Sequence, residues 1–302
     1  MRPVSRVSSQ SAAQTDATIT ESAADEATMS ATTETAGMVG VTAITLQAMG
    51  TVVSVRLNGG LTDSRGDAVR QSAQAAVAGV FGRWDDRFSL YRPGSELSRV
   101  ARGDIRLTEA SRQLRDCYAL ALHWRDQTDG VFTPHRADGV IDLSGIVKAL
   151  AIREAGAALD SLGQDAWSIN AGGDILVSGC PDVTFARRLD PLVDPDWVVA
   201  LVNPLDRLDL LATVPLRAPL RAVATSGSAE RGEHIWTPAP GIRSPFRQVS
   251  VLAADIVTAD VLATAIVAGG EPMLNQCTAS AEIEVLAVLQ GGGLLATPGL
   301  RR

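Results

Sequence analysis

Lysine is almost missing from this chain: of its 27 basic residues 26 are arginine, and the exception is Lys148. Surface charge is met equally well by either residue, but a compact ammonium on a flexible four-carbon stem is not replaced by a planar guanidinium fork. The position that keeps the ammonium is therefore a place to look for chemistry; a surface lysine without a task is the plain alternative. Cysteine is scarce too. Cys117, Cys180 and Cys277 are odd in number and far apart, which excludes a paired-cysteine metal knuckle and predicts buried thiols. The three histidines, His123, His135 and His234, do not pair at metal-ligand spacing, so the zinc patterns are absent. Aromatic residues make up 4% of the chain, which leaves the core to small aliphatic side chains. A net charge of −7 argues against a generic nucleic-acid binder, which needs a basic stripe to replace counterions. No apolar run approaches the length of a membrane-spanning helix. No GxGxxG follows a strand, no GxSxG elbow occurs, and Lys148 precedes Ala149 without the upstream glycine of a P-loop.

What is present suffices for a sizeable core: 46% of 302 residues are hydrophobic. Residues 1–40 are dominated by Ala, Ser and Thr and read as a disordered tail, because such a stretch buries too little apolar surface to offset its ordering entropy. Arg2 and Arg6 are not followed by an apolar h-region and no lipid-attachment cysteine occurs, so the expected location is the cytoplasm. Residues 41–302 read as one domain. A strand-like run from Ile44 to Leu57 predicts a hairpin, or a strand bulged at Gly50. Val69, Ala73, Ala76, Val77, Val80, Phe81, Trp84 and Phe88 keep helical spacing. A second helix, capped by Thr108, carries Leu114, Cys117, Tyr118, Ala121 and Trp124, and a third begins near Ile146 and runs to Gly163. Short strands are expected around residues 167–170, 174–177, 198–202, 210–214, 222–225, 248–253 and 283–289. Between the last two, Thr258 caps a helix ending near Gly269-Gly270. Helices interspersed with hairpin-like strands favour an α+β fold with a mixed, largely antiparallel sheet.

Three short elements carry chemistry. In Thr258-Ala259-Asp260-Val261-Leu262-Ala263-Thr264, residues four apart on a helix bring the Asp260 carboxylate and the Thr264 hydroxyl to one face. Two hard oxygens so placed suit Mg²⁺, which takes few protein ligands and keeps water and substrate phosphate in its shell. The same spacing also fits an acid favoured by the helix macrodipole beside an incidental threonine. The run Ala224-Thr225-Ser226-Gly227 ends a strand in hydroxyls and backbone N–H groups useful around a phosphate or ribityl chain. His234, just beyond it, is either a base or a turn residue. Asn170-Ala171-Gly172-Gly173-Asp174 reads as a tight turn that lets backbone approach something closely, or as an ordinary hairpin turn.

Taken in order, these elements join others: Met49-Gly50-Thr51, Phe88-Ser89-Leu90-Tyr91 with Ser95-Glu96-Leu97, Asp129-Gly130-Val131-Phe132-Thr133-Pro134, and Asp142-Leu143-Ser144-Gly145-Ile146-Val147-Lys148. The ordered set, from about residue 44 to the carboxyl end, resembles the FAD:protein FMN transferase (ApbE-like) family. The resemblance implies an enzyme that binds FAD, uses Mg²⁺ on its pyrophosphate and attaches FMN to a Thr or Ser of an acceptor protein, releasing AMP. It implies that Met49, Tyr91, Val131, Phe132 and Thr133 line the flavin site; Thr225 and Ser226, at the strand end described above, are the candidates for contact with the phosphate or ribityl chain. Asp142 and Lys148 would contact FAD, and Gly145 (through its carbonyl), Asp260 and Thr264 would hold the metal. His234 is the candidate for taking the acceptor's hydroxyl proton, with Asp142 as the alternative base, and Lys148 is a cation for the developing charge. The same site with water as acceptor would be an FAD pyrophosphatase giving FMN and AMP; a third reading is a non-catalytic FAD-binding protein. The sequence departs from the family pattern at Thr133, where Asp is usual, at Ala149, where Gly is usual, at Arg153, commonly acidic, and at Thr237, in a stretch that has lost an Asp and a Thr.

Overall fold

Met49 and Gly50 take positive φ (49° and 71°) and turn the first apolar run back on itself. The run is thus a hairpin rather than one bulged strand: β2 (Val41–Ala48) pairs with β3 (Thr51–Asn58) in unbroken antiparallel register. The computed structural model describes residues 5–7, 41–58, 64–181, 196–227 and 244–301. After the hairpin come α1 (Ser64–Phe88), α2 (Glu96–Ala101), α3 (Arg112–Gln127) and α4 (Ser144–Ser161). Strands β4 (Trp167–Ala171) and β5 (Asp174–Ser178) follow, then a separate ribbon of β6 (Trp197–Asn203) and β7 (Asp206–Leu216). Strands β8 (Ala222–Gly227) and β9 (Phe246–Ala253) lead into α5 (Ile256–Ser280), and β10 (Glu284–Leu289) and β11 (Leu294–Ala296) close the chain.

Among the described residues the main sheet has nine strands; with β1 at Ser5–Val7 the order is β1-β11-β10-β9-β8-β5-β4-β3-β2, and every pairing is antiparallel. The α+β reading with a largely antiparallel sheet holds. Strand β1 (Ser5–Val7) lies inside the stretch read as a tail, yet it pairs with Leu294–Ala296 at the sheet edge; the rest of residues 1–40 lies outside the described residues.

One face of the sheet is covered by α1, α4 and α5, whose buried side chains meet Val53, Val55, Ala171, Val249 and Val251 in the main core. The other face carries Val177, Val223, Leu252 and Leu286, which pack under the β6–β7 ribbon through Trp197, Val199, Val214 and Leu216. Helix α1 buries Ala73, Val77, Val80, Phe81, Trp84 and Phe88 as the spacing predicts, while Val69 stays exposed near the helix start. Two caps differ from expectation. Helix α3 is capped by Ser111, whose hydroxyl accepts from the Leu114 N–H, because Thr108 falls in a 3-10 turn (Leu107–Glu109). Helix α5 is capped by Asp255, whose Oδ2 accepts from both the N–H (3.0 Å) and the hydroxyl (3.3 Å) of Thr258. The predicted stop at Gly269-Gly270 is a kink, since Gly270 has φ 68°, and a second helical stretch containing Pro272 continues to Ser280.

Helix α5 is long and apolar enough to cross a membrane by length and composition, contrary to the sequence reading, but 67% of its most apolar window is buried in the fold. Of the cysteines, Cys117 and Cys277 are buried, and burial pushes both thiols up to about 12; Cys180 is exposed, against expectation.

Helix α4 approaches the sheet at Gly156, where a Cβ would lie 2.3 Å from Cη2 of Trp167. The indole cannot retreat freely, because its Nε1 donates to Asp160 Oδ1 at 2.8 Å. Gly156→Ala is therefore expected to cost roughly 1–3 kcal/mol by overpacking. That corresponds to a melting temperature lower by roughly 2–12 °C, measurable by circular dichroism.

Candidate functional site

The turn from β4 to β5 needs glycine. Gly172 has φ 62°, and a Cβ there would lie 2.5 Å from Thr51 Oγ1 of β3. The Gly172 N–H donates to the Val52 carbonyl (3.2 Å) and the Gly173 N–H to Asn170 Oδ1 (2.9 Å). The turn thereby delivers Asp174, the first residue of β5, to the helix-covered face of the sheet, fully buried. Lys148 comes down from the second turn of α4 and is 5% exposed; its Nζ contacts Asp174 Oδ2. The other carboxylate oxygen, Oδ1, accepts from the backbone N–H of Thr225 in β8 at 3.2 Å. Asp260, in the second turn of α5, is the third buried charge, and its Oδ2 has no hydrogen-bond partner among the described residues.

These groups shift one another. Burial, and then the nearby charge of Asp260, push the Asp174 carboxyl up from its ordinary 3.8 to about 7 against the opposing pull of Lys148 and the Thr225 N–H. Burial also raises the Asp260 carboxyl, with Lys148 again opposing. A carboxyl raised on folding binds its proton more tightly in the folded chain than in the unfolded one. The stability that Asp174 contributes is therefore complete below about 3.8 and is lost as pH rises through about 7. Without added cation, the melting temperature is expected to fall between pH 4 and pH 7, and Asp174→Asn to flatten that slope; a melting series in matched buffers checks both.

The predicted residues divide. Thr264, one turn beyond Asp260, is half-buried, and its Oγ1 lies 3.1 Å from Ser226 Oγ, so Ser226, Thr264, Asp260 and Lys148 share one region. Thr225 does not: strand alternation turns its hydroxyl to the opposite face, where it meets Ser250 Oγ at 2.9 Å, and only its N–H serves the site. Gly145 lies in the first turn of α4, where a Cβ would stand 3.0 Å from the buried Phe132 ring. Val131 lies beside α5, its Cγ1 3.1 Å from where a Cβ on Gly269 would be. The Asp142 carboxylate is engaged locally, its Oδ1 accepting from the Ser144 N–H at 2.9 Å at the start of α4. The Thr133 hydroxyl likewise accepts from the His135 N–H at 3.2 Å. Met49 is half-buried in the β2–β3 turn, and Tyr91 stands 85% exposed after α1. Of the departures, Ala149 is buried and Arg153 faces the α5 cap residue Asp255 at 3.9 Å. His234 and Thr237 lie outside the described residues.

The sequence motifs include the turn that holds Asp174 but do not single out this buried acid. The available signal was an acid placed directly between Gly-Gly and the apolar run Ile175-Leu176-Val177. Two carboxyl groups and one ammonium are buried together here, and the cluster carries one net negative charge only when both carboxyls are ionised. Among the described residues no group of three His, Cys, Asp or Glu side chains could hold a metal, so a cation here would rely on one carboxylate with hydroxyl and carbonyl oxygens. Such a hard donor set suits Mg²⁺ rather than zinc or copper, and the unpartnered Asp260 Oδ2 fits it. A groove of about 590 Å³, lined by Trp84, Leu120, Leu150, Arg153, Glu154 and Ala157 among others, lies on the far side of α4 from Lys148 and belongs to a different surface.

The family model for the ApbE family matches residues 49–140 and 133–287. No curated protein matches the sequence. Among solved structures, an ApbE protein from Thermotoga maritima is similar with a TM-score of 0.70 at 20% identity, over 87% of this chain and 99% of that one. The flavin transferase ApbE from Vibrio cholerae gives 0.67 at 21% identity, over 86% and 98%. The flavinyl transferase ApbE from Pseudomonas stutzeri gives 0.67 at 17% identity, over 87% and 98%.

Proposed function

We propose, from the premise that the chain belongs to the ApbE family, that it transfers FMN from FAD to a threonine or serine hydroxyl of an acceptor protein in a Mg²⁺-dependent reaction. The observation that carries this reading is the buried cluster of Lys148, Asp174 and Asp260, with the unpartnered Asp260 Oδ2 on the helix that also carries Thr264, in contact with Ser226. Solved structures of similar fold include two named flavin or flavinyl transferases.

In this reading the acceptor oxygen attacks the FMN-side phosphorus. A new P–O bond forms, the bridging P–O bond breaks, and AMP leaves with the electron pair. The hydroxyl proton passes to a base, for which His234 is the candidate and Asp142 the alternative. Asp260, Thr264 and the Gly145 carbonyl would hold Mg²⁺, which supplies positive charge to the pyrophosphate oxygens. Lys148 adds a fixed cation at the floor of the site. Val131 and Phe132, packed between α4 and α5, would form one wall for the flavin, with Met49, Tyr91 and Thr133 as further contacts.

The test is incubation with FAD, Mg²⁺ and an acceptor protein carrying an exposed target threonine. A covalently fluorescent acceptor on a denaturing gel is the expected result. Free FMN plus AMP with an unlabelled acceptor would make the protein an FAD pyrophosphatase, and bound unchanged FAD would make it a flavin-binding protein.

A further inference from the structure

One ammonium buried with two carboxylates can be in contact with one and leave the other open. The structure shows which is which. Asp174 is the one in contact: its Oδ1 accepts from the Thr225 N–H at 3.2 Å, and its Oδ2 is in ion-pair contact with Lys148 Nζ. Asp260 Oδ2 has no partner among the described residues, although Lys148 is close enough to act on that carboxyl electrostatically. The placement of Asp174 is built in from outside the site. The glycine-dependent β4–β5 turn against Thr51 sets its position, and the β8 backbone sets its direction. An ammonium that moved onto Asp260 would occupy the oxygen that a cation needs and would repel that cation.

We propose that Asp174 is a positioning residue, whose task is to hold the Lys148 ammonium off Asp260 and so keep Asp260 open to a divalent cation. This rests on the reading that Asp260 and Thr264 hold such a cation. Asp174 is turned to the ammonium rather than to the cation, since its Oδ2 is in ion-pair contact with Lys148 and its Oδ1 accepts from the Thr225 N–H.

The experiment is a Mn²⁺ titration followed by electron paramagnetic resonance on the full chain. Asp174→Asn keeps an oxygen for the Thr225 N–H but puts an amide NH₂ where Lys148 needs an acceptor. Lys148 then turns to Asp260, and the Mn²⁺ Kd rises by roughly 10- to 100-fold, the range typical of lost outer-shell support. Adding Lys148→Met removes the competitor, so the double variant recovers most of that roughly 10- to 100-fold loss. That recovery is the readout that a merely structural role for Asp174 does not produce. Unchanged Mn²⁺ binding in Asp174→Asn, or a double variant as weak as the single one, overturns the proposal.

Should the single variant not fold, the double variant still decides. Removing a buried ion pair as a unit is tolerated far better than removing one partner. Near-normal Mn²⁺ binding then supports the proposal, and lost binding overturns it. Asp260→Ala separates the two levels. If it binds Mn²⁺ as the unsubstituted chain does, the cation site itself is misassigned and the proposal falls with it. If only Asp174→Asn is without effect, the proposal falls alone.

Discussion

Asp260→Ala should lower FMN transfer by at least about a hundredfold at limiting Mg²⁺, the scale reached when a group aimed at developing charge is lost, without lowering the melting temperature. The two halves of this result have one cause. Asp260 is 4% exposed, its Oδ2 has no partner among the described residues, and burial raises its carboxyl above the ordinary range. A buried polar atom left unpaired costs about 1–3 kcal/mol, so in the absence of a ligand this side chain is a burden on the fold. Such burdens persist where function needs them. Turnover measured against Mg²⁺ concentration, beside a melting curve without cation, reads both. Asp260→Asn is the companion variant, because it keeps the volume and removes the charge. Wild-type turnover at limiting Mg²⁺ in the alanine variant would remove Asp260 from the cation site. A large fall in melting temperature in the asparagine variant would show that the carboxylate stabilises the fold after all.

The sequence spacing found the helices because each buries one face, and a buried face repeats in the chain: Ala73, Val77, Val80, Phe81 and Trp84 are a local pattern. It placed Asp260 and Thr264 on one helix for the same reason, as an i, i+4 pair. The caps were less legible. Thr108 and Ser111 are both plausible N-caps, and Ser111 takes the role because Arg106 and Glu109 close a 3-10 turn around Thr108 first. Asp255 and Thr258 form a pair in which the acid accepts and the threonine donates, so reading Thr258 as the cap reversed their roles.

What the chain does not write locally is strand register. Asp174 meets the Thr225 N–H because β5 pairs with β8, across a sequence separation of 51 residues. No turn signal announces that neighbour. The same pairing decides that Ser226 faces Thr264 while Thr225 faces Ser250, since a shift of one residue exchanges the two faces. Likewise, the composition of residues 1–40 contains nothing that points Ser5–Val7 to Leu294–Ala296.

Lys148→Arg carries the second large effect, and the structure sharpens its reason. A surface lysine would accept the change silently, but Lys148 is 5% exposed, flanked along α4 by buried Val147 and Ala149, and in contact with Asp174. Arginine brings more volume into a filled site, at a cost of roughly 1–3 kcal/mol. Its chemistry is a larger problem than its size. A guanidinium has five donors in a rigid fork and never gives up its charge. Such a fork can bond Asp174 and still present donors to Asp260, filling the oxygen that the ammonium leaves open. Turnover is therefore expected to fall at least about a hundredfold, with the Mg²⁺ requirement moved to higher concentration. Lys148→Met is the informative contrast. It removes the charge without adding a competitor, so it should lose turnover while its cation requirement moves less than that of the arginine variant. If the two variants shifted the Mg²⁺ dependence equally, charge alone would be what the site needs from Lys148. Near-normal turnover in Lys148→Arg would mean that any cation serves, and that the single ammonium among 26 guanidinium groups is there without a chemical reason.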